Sequence, residues 1–369
     1  MKIKILFVID YYNSSFSGTE GQLFKLAKSL DKDRFDIHLL VFEESPWLNK
    51  NGFPGAYSVL GERSVKSPKM WLKLFRKAKK FKKNGYHLAH VFFNDPSLIC
   101  PPVFYANGIK TIVSRRDMGY WYTPLILFFL TKVRRWVSAV AVNSQAVKAV
   151  TVQKERYNNN QVQVIYNGYE MHEEVLPPAS DLNTLRKSSE DIFLGLVANI
   201  REIKRISDAI EAIALLGKAY RHVYLCVIGS GNPSQLIKKA RQLGVEDQVI
   251  FLGPREDVES CLQLIDIGML CSESEGFSNA IVEYMKSGLP TICSNVGGNG
   301  EAITHKKTGL IYNVGDCRAL AEAICTLVDN KEIRNNMGIA ARQEAEERFS
   351  IAKMVSEYEE LYCSTLGVR

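Results

Sequence analysis

Short apolar runs, many of them β-branched, alternate with helix-length amphipathic segments from one end of the chain to the other. This alternation is typical of βαβ units, in which helices cover a sheet of parallel strands. The first half is predicted to contain strands at Ile3–Ile9, Asp36–Phe42, His87–Phe92, Thr111–Ser114, Ala139–Val142 and Val162–Ile165. The second half is predicted to contain strands at Phe193–Ala198, Val223–Ile228, Val249–Leu252, Ile267–Leu270 and Thr291–Ser294. The pattern therefore predicts an α/β protein of two doubly wound domains in tandem.

The boundary between the domains is predicted within Val175–Asp191, which contains a Pro-Pro pair and lacks a hydrophobic period. This places an N-terminal domain at 1–175 and a C-terminal domain at 185–349. Apolar residues of the last segment, Phe349–Leu366, recur at helical spacing, so we expect a helix with one buried face over 350–369. Two such domains usually bind ligand where the carboxyl ends of their strands face each other across a cleft.

Composition limits the class of protein. The chain has 369 residues, of which 46% are hydrophobic and 24% are charged, enough to bury two cores of ordinary domain size. No run reaches the roughly 18 to 20 apolar residues that span a bilayer, and the N-terminus lacks the pattern of an export signal. We therefore expect a cytoplasmic protein. The net charge of +7 is modest for this length and does not indicate nucleic-acid binding.

The cysteines are scattered along the chain without any C-x-x-C pair, most of them in apolar segments. Ligand pairs at zinc spacing are absent, and a cytosolic compartment is reducing. We therefore predict buried free thiols, with neither disulfides nor a metal site. The eight cysteines are Cys100, Cys226, Cys261, Cys271, Cys293, Cys317, Cys325 and Cys363.

An acidic block follows the predicted strand at Ile267–Leu270. Its sequence is SEGFSNAIVE, and it places Glu275 in a loop and Glu283 about one turn into the next helix. A helix N-terminus favours carboxylates and phosphates, and a carboxylate can accept hydrogen bonds from both hydroxyls of a ribose. The block is therefore suited to a nucleotide sugar.

This block resembles the E-x7-E motif of retaining group 1 glycosyltransferases, which have the GT-B fold. The resemblance implies that Glu275 orients the transferred hexose and that Glu283 holds the donor ribose. It also implies two Rossmann-like domains facing across a cleft, with the C-terminal helix crossing back to the N-terminal domain. The residues between the two acids are then expected in the donor site; they are Gly276, Phe277, Ser278 and Asn279.

A basic block, NIREIKR, begins with Asn199 at the end of a predicted strand. A diphosphate leaving group gains negative charge as the glycosidic bond breaks, so fixed cations stabilise the transition state more than the ground state. Arg201 and Lys204 are predicted to do this, and with Glu275 they form the predicted catalytic set. The block resembles the family's Gly-Arg-x4-Lys phosphate clamp with Lys204 in register, although Asn199 stands where many members have arginine.

Further turns match the family in the same order along the chain. Gly229 lies in a G-x-G turn that lacks the third glycine and the acidic residue of a dinucleotide fingerprint, which argues against NAD. The turn containing Gly253 and Arg255 follows another strand, and both residues are expected to contact the donor. In the N-terminal half, Gly18 precedes a predicted helix at Gln22–Leu30 and resembles the second residue of the family's Gly-Gly loop; Ser17 replaces the first.

The segment SRRDMG follows the strand at Thr111–Ser114, where many relatives carry a histidine near the reacting sugar. Histidine is absent here, and Arg116 or Asp117 is expected to contact the acceptor or the donor. No general base is assigned. In this family, retention is usually explained by front-face attack, in which a donor phosphate oxygen accepts the proton of the acceptor.

The resemblance covers most of the chain and implies the reaction. It predicts a metal-independent transfer of a hexose from a UDP- or GDP-linked sugar, used as co-substrate with no cofactor, to a glycan or a lipid-linked saccharide in cell-surface polysaccharide synthesis. Two alternatives stay open: a sugar-nucleotide epimerase of the same fold, and a noncatalytic homologue that binds sugar nucleotides.

A basic amphipathic segment indicates an additional partner. Residues 69–83, KMWLKLFRKAKKFKK, place Trp71, Leu74, Phe75 and Ala78 at helical spacing beneath a dense basic face. Helices of this kind bind anionic membrane surfaces. Residues 120–136 add an apolar stretch that is large enough to dock on lipid or core. Peripheral binding to the inner face of the membrane is one hypothesis; a core-facing helix with solvated lysines is the other.

Overall fold

The computed structural model describes residues 2–15, 18–171, 179, 182 and 184–368. Ser17, and the prolines Pro177 and Pro178 on which the linker prediction rests, lie outside the described residues. Contacts divide the chain into two compact units: unit 1 comprises Met1–Gly168 and Ile351–Arg369, and unit 2 comprises Tyr169–Ser350.

Unit 1 is built on a parallel sheet with the strand order β3-β2-β1-β4-β5-β6-β7 in the described part of the chain. Its strands are β1 (Ile3–Tyr11), β2 (Phe35–Glu43), β3 (Ala56–Val59), β4 (Leu88–Val91), β5 (Lys110–Arg115), β6 (Ala139–Val142) and β7 (Val162–Val164). Residues 5–9 of β1 are fully buried because helices cover both faces of the sheet, which is why central parallel strands have continuous apolar runs. The six strands predicted in this half are confirmed to within two residues at either end. The short edge strand β3 was missed.

The helices of unit 1 connect successive strands. They are α1 (Gly18–Ser29), α2 (Pro46–Asn51), α3 (Pro68–Lys83), α4 (Asn94–Ala106), α5 (Pro124–Val133) and α6 (Gln145–Glu155). The helix α1 begins four residues earlier than predicted, so Gly18 is its first residue rather than part of the preceding loop.

Unit 2 has a second parallel sheet, with the order β10-β9-β8-β11-β12-β13 among the described residues. Its strands are β8 (Ile192–Val197), β9 (Val223–Ile228), β10 (Val249–Gly253), β11 (Ile267–Leu270), β12 (Thr291–Ser294) and β13 (Gly309–Tyr312). Its helices are α7 (Ile206–Leu216), α8 (Ser234–Gln242), α9 (Val258–Leu262), α10 (Asn279–Lys286), α11 (Asn299–Ala302), α12 (Cys317–Asp329) and α13 (Lys331–Phe349). The five predicted strands are confirmed; only the edge strand β13 was missed. The prediction of an α/β protein with two doubly wound parallel sheets is therefore confirmed.

The C-terminal helix α14 (Ile351–Leu366) packs on unit 1. Its apolar face, which includes Tyr358 and Tyr362, lies in the same core as strand β1 and helix α1. The buried ring of His90 on β4 is hydrogen-bonded at 2.8 Å to the hydroxyl of Tyr362 and at 2.8 Å to that of Ser114. Burial lowers the pKa of His90 to about 3, so this ring is neutral and joins α14 to the centre of the sheet.

All eight cysteines are free thiols, but their burial differs. Five are buried, whereas three are half-buried, so the prediction of burial is wrong for those three. The half-buried cysteines, Cys317, Cys325 and Cys363, lie on the helices α12 and α14.

Candidate functional site

The strand order of unit 2 reverses between β8 and β11, which are neighbours in the sheet. Ligands of doubly wound sheets bind beside such a pair, at the carboxyl ends of the strands. The loop after β8 and the loop after β11 both lie at this edge. The backbone N–H of Glu273 donates to the carbonyl of Ile203 at 2.8 Å, so the two loops are joined directly.

Lys204 and Glu275 form an ion pair across these loops. The Nζ atom of Lys204 lies 2.6 Å from Oε1 of Glu275, and the hydroxyl of Ser272 donates to the same oxygen at 2.7 Å. The side chains of Lys204 and Glu275 are 24% and 13% exposed, so both are shielded but reachable from solvent. The structure thus brings together two of the three residues predicted to be catalytic.

Glycines after β12 fix the backbone of Glu275. The N–H of Gly298 donates to the carbonyl of Glu275 at 3.3 Å. Gly297 has φ +49°, and a Cβ atom at this position would lie 1.7 Å from that carbonyl oxygen. Only glycine permits this approach. Gly276, which follows Glu275, is half-buried in the same loop.

The helix α10 carries Glu283 and begins beside the same loop. Asn279, its first residue, accepts a hydrogen bond from the hydroxyl of Tyr169 at 2.5 Å, and the preceding Ser278 is buried. Tyr284 fixes the helix against the sheet, because its hydroxyl accepts from the N–H of Val197 at 2.7 Å and donates to the carbonyl of Met269 at 3.2 Å. Glu283 is half-buried, one turn from the helix N-terminus.

The turns after β8, β9 and β10 are also joined. Oδ1 of Asn199 accepts from the N–H of Ser230 at 3.1 Å and from its hydroxyl at 2.7 Å. The N–H of Gly229 donates to the carbonyl of Gly253 at 2.9 Å, and a Cβ atom on Gly229 would lie 2.1 Å from the carbonyl oxygen of Ala198. Asn199 therefore links two loops, which is a structural use for the residue that replaces the family's arginine.

The remaining predicted donor-site residues of unit 2 differ in their surroundings. Arg201 is exposed, just before the turn that carries Lys204. Arg255 makes a bidentate pair with Asp257, with both N–O distances 2.7 Å. Phe277 is buried and packs edge-to-face on Phe349, 5.4 Å between ring centroids. Its ring belongs to the buried core of the unit.

In unit 1, Gly18 opens the twelve-residue helix α1. The buried side chain of Gln22 on the same helix accepts from the N–H of Gly168 at 2.9 Å and donates to its carbonyl at 3.2 Å. This contact holds the first turns of α1 against the end of unit 1's main segment.

Arg116 is held by three elements of unit 1. Its guanidinium donates to Oδ1 of Asn167 and to the hydroxyl of Tyr358 on α14 at 3.4 Å. Its carbonyl accepts from Asn143 at 3.3 Å. The side chain is half-buried. This position, predicted to be on the acceptor side, is therefore fixed in part by the C-terminal helix.

Asp117 closes a tight turn after β5. Its Oδ1 accepts from the N–H of Gly119 at 2.7 Å, and Gly119 has φ +75°. Burial raises the pKa of the Asp117 carboxyl, although the hydrogen bond from Gly119 opposes the shift. The carboxyl is engaged by its own loop in this arrangement.

Sequence reasoning missed a buried ion pair next to these residues. The guanidinium of Arg115 makes a bidentate pair with Glu155 on α6, at 2.6 and 2.9 Å, and also donates to the hydroxyl of Ser97 at 2.9 Å. Glu155 accepts a further hydrogen bond from Tyr122. Burial alone lowers the pKa of Arg115, but the facing carboxylate more than reverses this, so the net direction is upward. The signal that was available in the sequence is Arg115 itself, a charged residue that directly follows the predicted strand Thr111–Ser114.

A second missed carboxylate is Asp10, at the end of β1 and beside the point where the strand order of unit 1 reverses. Burial raises the pKa of Asp10, and the nearby charge of Asp95 raises it further. The N–H of Tyr11 donates to Asp10 at 2.8 Å.

Among the described residues, no group of three or more histidine, cysteine, aspartate or glutamate side chains is placed to hold a metal ion. In the same part of the chain, no helix is both long enough and apolar enough to cross a bilayer.

Comparisons with known proteins match a glycosyltransferase family model in each half of the chain. Residues 180–344 match the family Glycosyl transferases group 1, and residues 16–173 match Glycosyltransferase Family 4. The chain is 32% identical over 213 residues to N-acetyl-alpha-D-glucosaminyl L-malate synthase of Bacillus anthracis, an alignment covering 56% of this chain and 55% of that protein. It is 26% identical over 176 residues to the capsular polysaccharide biosynthesis glycosyltransferase CapM of Staphylococcus aureus, covering 47% and 46%. These alignments span about half the length of each relative.

Solved structures share the fold along nearly the whole chain. HepE of Anabaena, in complex with UDP, has a TM-score of 0.84 at 21% identity, covering 98% of this chain and 100% of that one. A glycosyltransferase of Rickettsia africae has a TM-score of 0.87 at 18% identity, covering 99% of both chains. The predicted GT-B fold with two Rossmann-like domains is confirmed by these similarities.

Proposed function

We propose that this chain, which belongs to the glycosyl transferases group 1 family, moves a hexose from a nucleotide diphosphate sugar to a glycan or a lipid-linked saccharide, with retention of the anomeric configuration. Unit 2 would bind the donor, and unit 1 would bind the acceptor. The observation that carries the proposal is the pair of Lys204 and Glu275, 2.6 Å apart at the carboxyl ends of β8 and β11.

This pair has the chemistry that a sugar nucleotide requires. The pyrophosphate of the donor is an anion that competes with Glu275 for Lys204, and the hexose offers hydroxyl donors to the carboxylate that Lys204 releases. Charge grows on the pyrophosphate as the glycosidic bond breaks, so Lys204 and the nearby Arg201 stabilise the transition state more than the ground state. The first turn of α10 adds N–H donors. Together these groups would supply the stabilisation that a divalent cation supplies in metal-dependent transferases.

Front-face attack accounts for retention in this proposal without an enzymic base. The acceptor hydroxyl approaches the face from which the pyrophosphate leaves, and a donor phosphate oxygen takes its proton. The surroundings of Asp117 support this, because its carboxyl already accepts the N–H of Gly119 and closes a turn. Arg116, held by Asn167 and Tyr358, would present its half-buried guanidinium as a fixed cation on the acceptor side.

The relatives support the classes of donor and acceptor. The Anabaena structures contain UDP, UDP with glucose, and UDP-glucose, which favours a UDP-linked hexose for this chain as well. The name of CapM refers to capsular polysaccharide biosynthesis. We therefore place the proposed reaction in the synthesis of a surface polysaccharide on the cytoplasmic side of the membrane.

Donor binding is expected to depend on Glu283. A donor at about one hundred times its Kd stabilises the protein by about 2.7 kcal/mol, which corresponds to a Tm increase of several degrees. Thermal-shift measurements with UDP-, GDP- and ADP-glucose should identify one donor with this effect. The shift should disappear in Glu283→Ala but persist in Glu275→Ala, because only Glu283 is assigned to the ribose.

The control for donor binding is Glu332→Ala, which removes an exposed carboxylate at the start of α13. It should leave the donor shift unchanged. An unchanged shift in Glu283→Ala would contradict the assignment of the ribose, and no shift with any sugar nucleotide would contradict the proposed donor class.

A membrane surface is the proposed additional partner, through α3. The helix buries Met70 and Leu74 in the core of unit 1, yet Trp71, Leu72 and Phe75 remain 39%, 50% and 44% exposed. The apolar positions of α3 thus divide between the core and solvent, as expected of a helix that packs on the protein and on lipid. Helix α4 contacts both α3 and α5, and α5 exposes three more large apolar side chains: Leu125, Phe128 and Phe129.

Vesicle flotation tests this surface. The chain should float with vesicles that contain anionic phospholipid and bind less to neutral ones, because lysines flank the exposed aromatic residues of α3. The triple variant W71A/L72A/F75A should lose flotation. The control L215A/L243A, which removes exposed leucines of unit 2, should float as the natural chain does. Flotation that survives the triple variant would contradict the assignment to α3.

A further inference from the structure

A lysine-rich cavity lies at the amino edge of the unit 1 sheet. Its volume is about 570 Å³, within the range of small-molecule sites. Lys110 begins β5, and Arg116 follows the other end of that strand, roughly 20 Å away at 3.3 Å per residue. The cavity is therefore separate from the carboxyl edge, where the candidate site residues of unit 1 lie.

The lining of the cavity is rich in positive charge. The ammonium groups are those of Lys2, Lys82 and Lys110, and His87 contributes an imidazole. Lys4 also lines the cavity, and its Nζ atom lies 3.6 Å from Oδ2 of Asp36. None of the described residues that line the cavity is acidic. An anion entering the cavity would therefore meet several cations and no carboxylate of the lining.

The lysines are partly oriented by the fold and retain donors for a ligand. Nζ of Lys82 donates to the carbonyl of Gly108 at 2.6 Å and lies 2.7 Å from Nδ1 of His87. Nζ of Lys110 donates to the carbonyl of Thr365, in the last turn of α14, at 2.8 Å. Each ammonium has three N–H groups, so these contacts leave one on Lys82 and two on Lys110. Such groups are suited to the oxygens of a phosphate.

The lining of the cavity also contains apolar side chains. They are those of Ile3 on β1, Leu366 at the end of α14 and Val368. A bare phosphate would satisfy the lysines but would leave these apolar side chains in contact with water. A lining with both cationic and apolar residues is complementary to an organic phosphate, in which one part is charged and the other is not.

We propose that this cavity binds an organic phosphate: its phosphate group contacts Lys82, Lys110 and Lys2, and its apolar part lies against Ile3 and Leu366. The source of such a group is either a soluble phosphate ester or the headgroup of a phospholipid. The proposal is independent of the transferase reaction, because none of these residues is assigned to the donor or the acceptor.

The test is a titration of the full chain, labelled with ¹³C in histidine, with inorganic phosphate, butyl phosphate and dihexanoyl phosphatidate. The ring signals of His87, assigned with H87Q, should shift and saturate with the two organic phosphates. The affinity for them should exceed that for inorganic phosphate at least threefold. Tighter binding of phosphatidate indicates a lipid source, and equal or tighter binding of butyl phosphate indicates a soluble one.

Variants separate a specific site from general attraction to positive charge. K82A/K110A should weaken binding at least tenfold, and K2E, which changes an exposed residue, at least threefold. The matched control is K77A/K80A, which also removes two positive charges. Both of these lysines are on α3, roughly 140° and 200° around the helix axis from Lys82. It should bind within twofold of the natural chain. Equal weakening by the control, unchanged binding in K2E, or no shift of His87 would overturn the proposal.

Discussion

Replacement of Lys204 by alanine is expected to lower kcat for sugar transfer by about 10² to 10³. The reason is electrostatic: the side chain of Lys204 is only 24% exposed, so its charge is shielded from water and little reorganisation is needed when negative charge develops on the leaving group. Release of nucleoside diphosphate measures the rate, with the donor that the thermal-shift screen identifies. KM for the donor should rise less than kcat falls, because the interaction is strongest in the transition state.

Measurements on three variants test whether the loss of kcat is specific to the ammonium of Lys204. K218A removes an exposed lysine of unit 2 and should leave kcat within a factor of two. The double variant K204A/E275A should be about as slow as the slower of its single variants, because residues that act as a unit are not additive. A folded K204A protein with more than a tenth of the natural kcat would show that Lys204 does not act on the leaving group.

The largest expected effect on stability is that of Arg115→Ala. Glu155 is fully buried, and the substitution would leave its charge without the bidentate partner. Removal of one member of a buried ion pair costs about 3 to 5 kcal/mol in the free energy of unfolding. Chemical denaturation should show this loss in the transition of unit 1. The turn that carries Arg116 and Asp117 should loosen with it, because Tyr122 also binds Glu155.

Two variants define the cause. R115M/E155L replaces both charges with apolar side chains and should recover most of the stability, since no unpaired charge remains. R63A breaks the exposed pair with Glu43 in the same unit and should cost at most about 1 kcal/mol. If R115M/E155L were as unstable as R115A, lost packing rather than an unpaired charge would be the cause.

The length and burial of each strand and helix explain which of them were predicted correctly from the sequence. The central strands, such as β1 and β8, were predicted because burial on both faces requires continuous apolar runs. The edge strands β3 and β13 were missed. In β3 no residue is buried, so its sequence, AYSV, lacks the continuous apolar run of a central strand. The bounds of α1 shifted because the glycine that was expected to begin a loop begins the helix.

The motifs gave the residues of the candidate site but not their contacts. They selected Lys204 and Glu275, but they did not indicate that the two side chains form an ion pair. They also did not indicate that the ring of Phe277 lies in the core of unit 2. A motif gives order and spacing along the chain, whereas the side of the backbone on which a side chain lies depends on packing.

The amino-acid pattern alone was enough to predict the two parallel sheets, the succession of their strands along the chain and the residue types at the carboxyl ends. These follow from local periodicity, which needs no knowledge of distant residues. The interaction partners became known from the fold, because they are far apart in sequence: Lys204 and Glu275 are separated by 71 positions, and Arg115 and Glu155 by 40. Whether a charge is exposed, paired or buried depends on such long-range contacts.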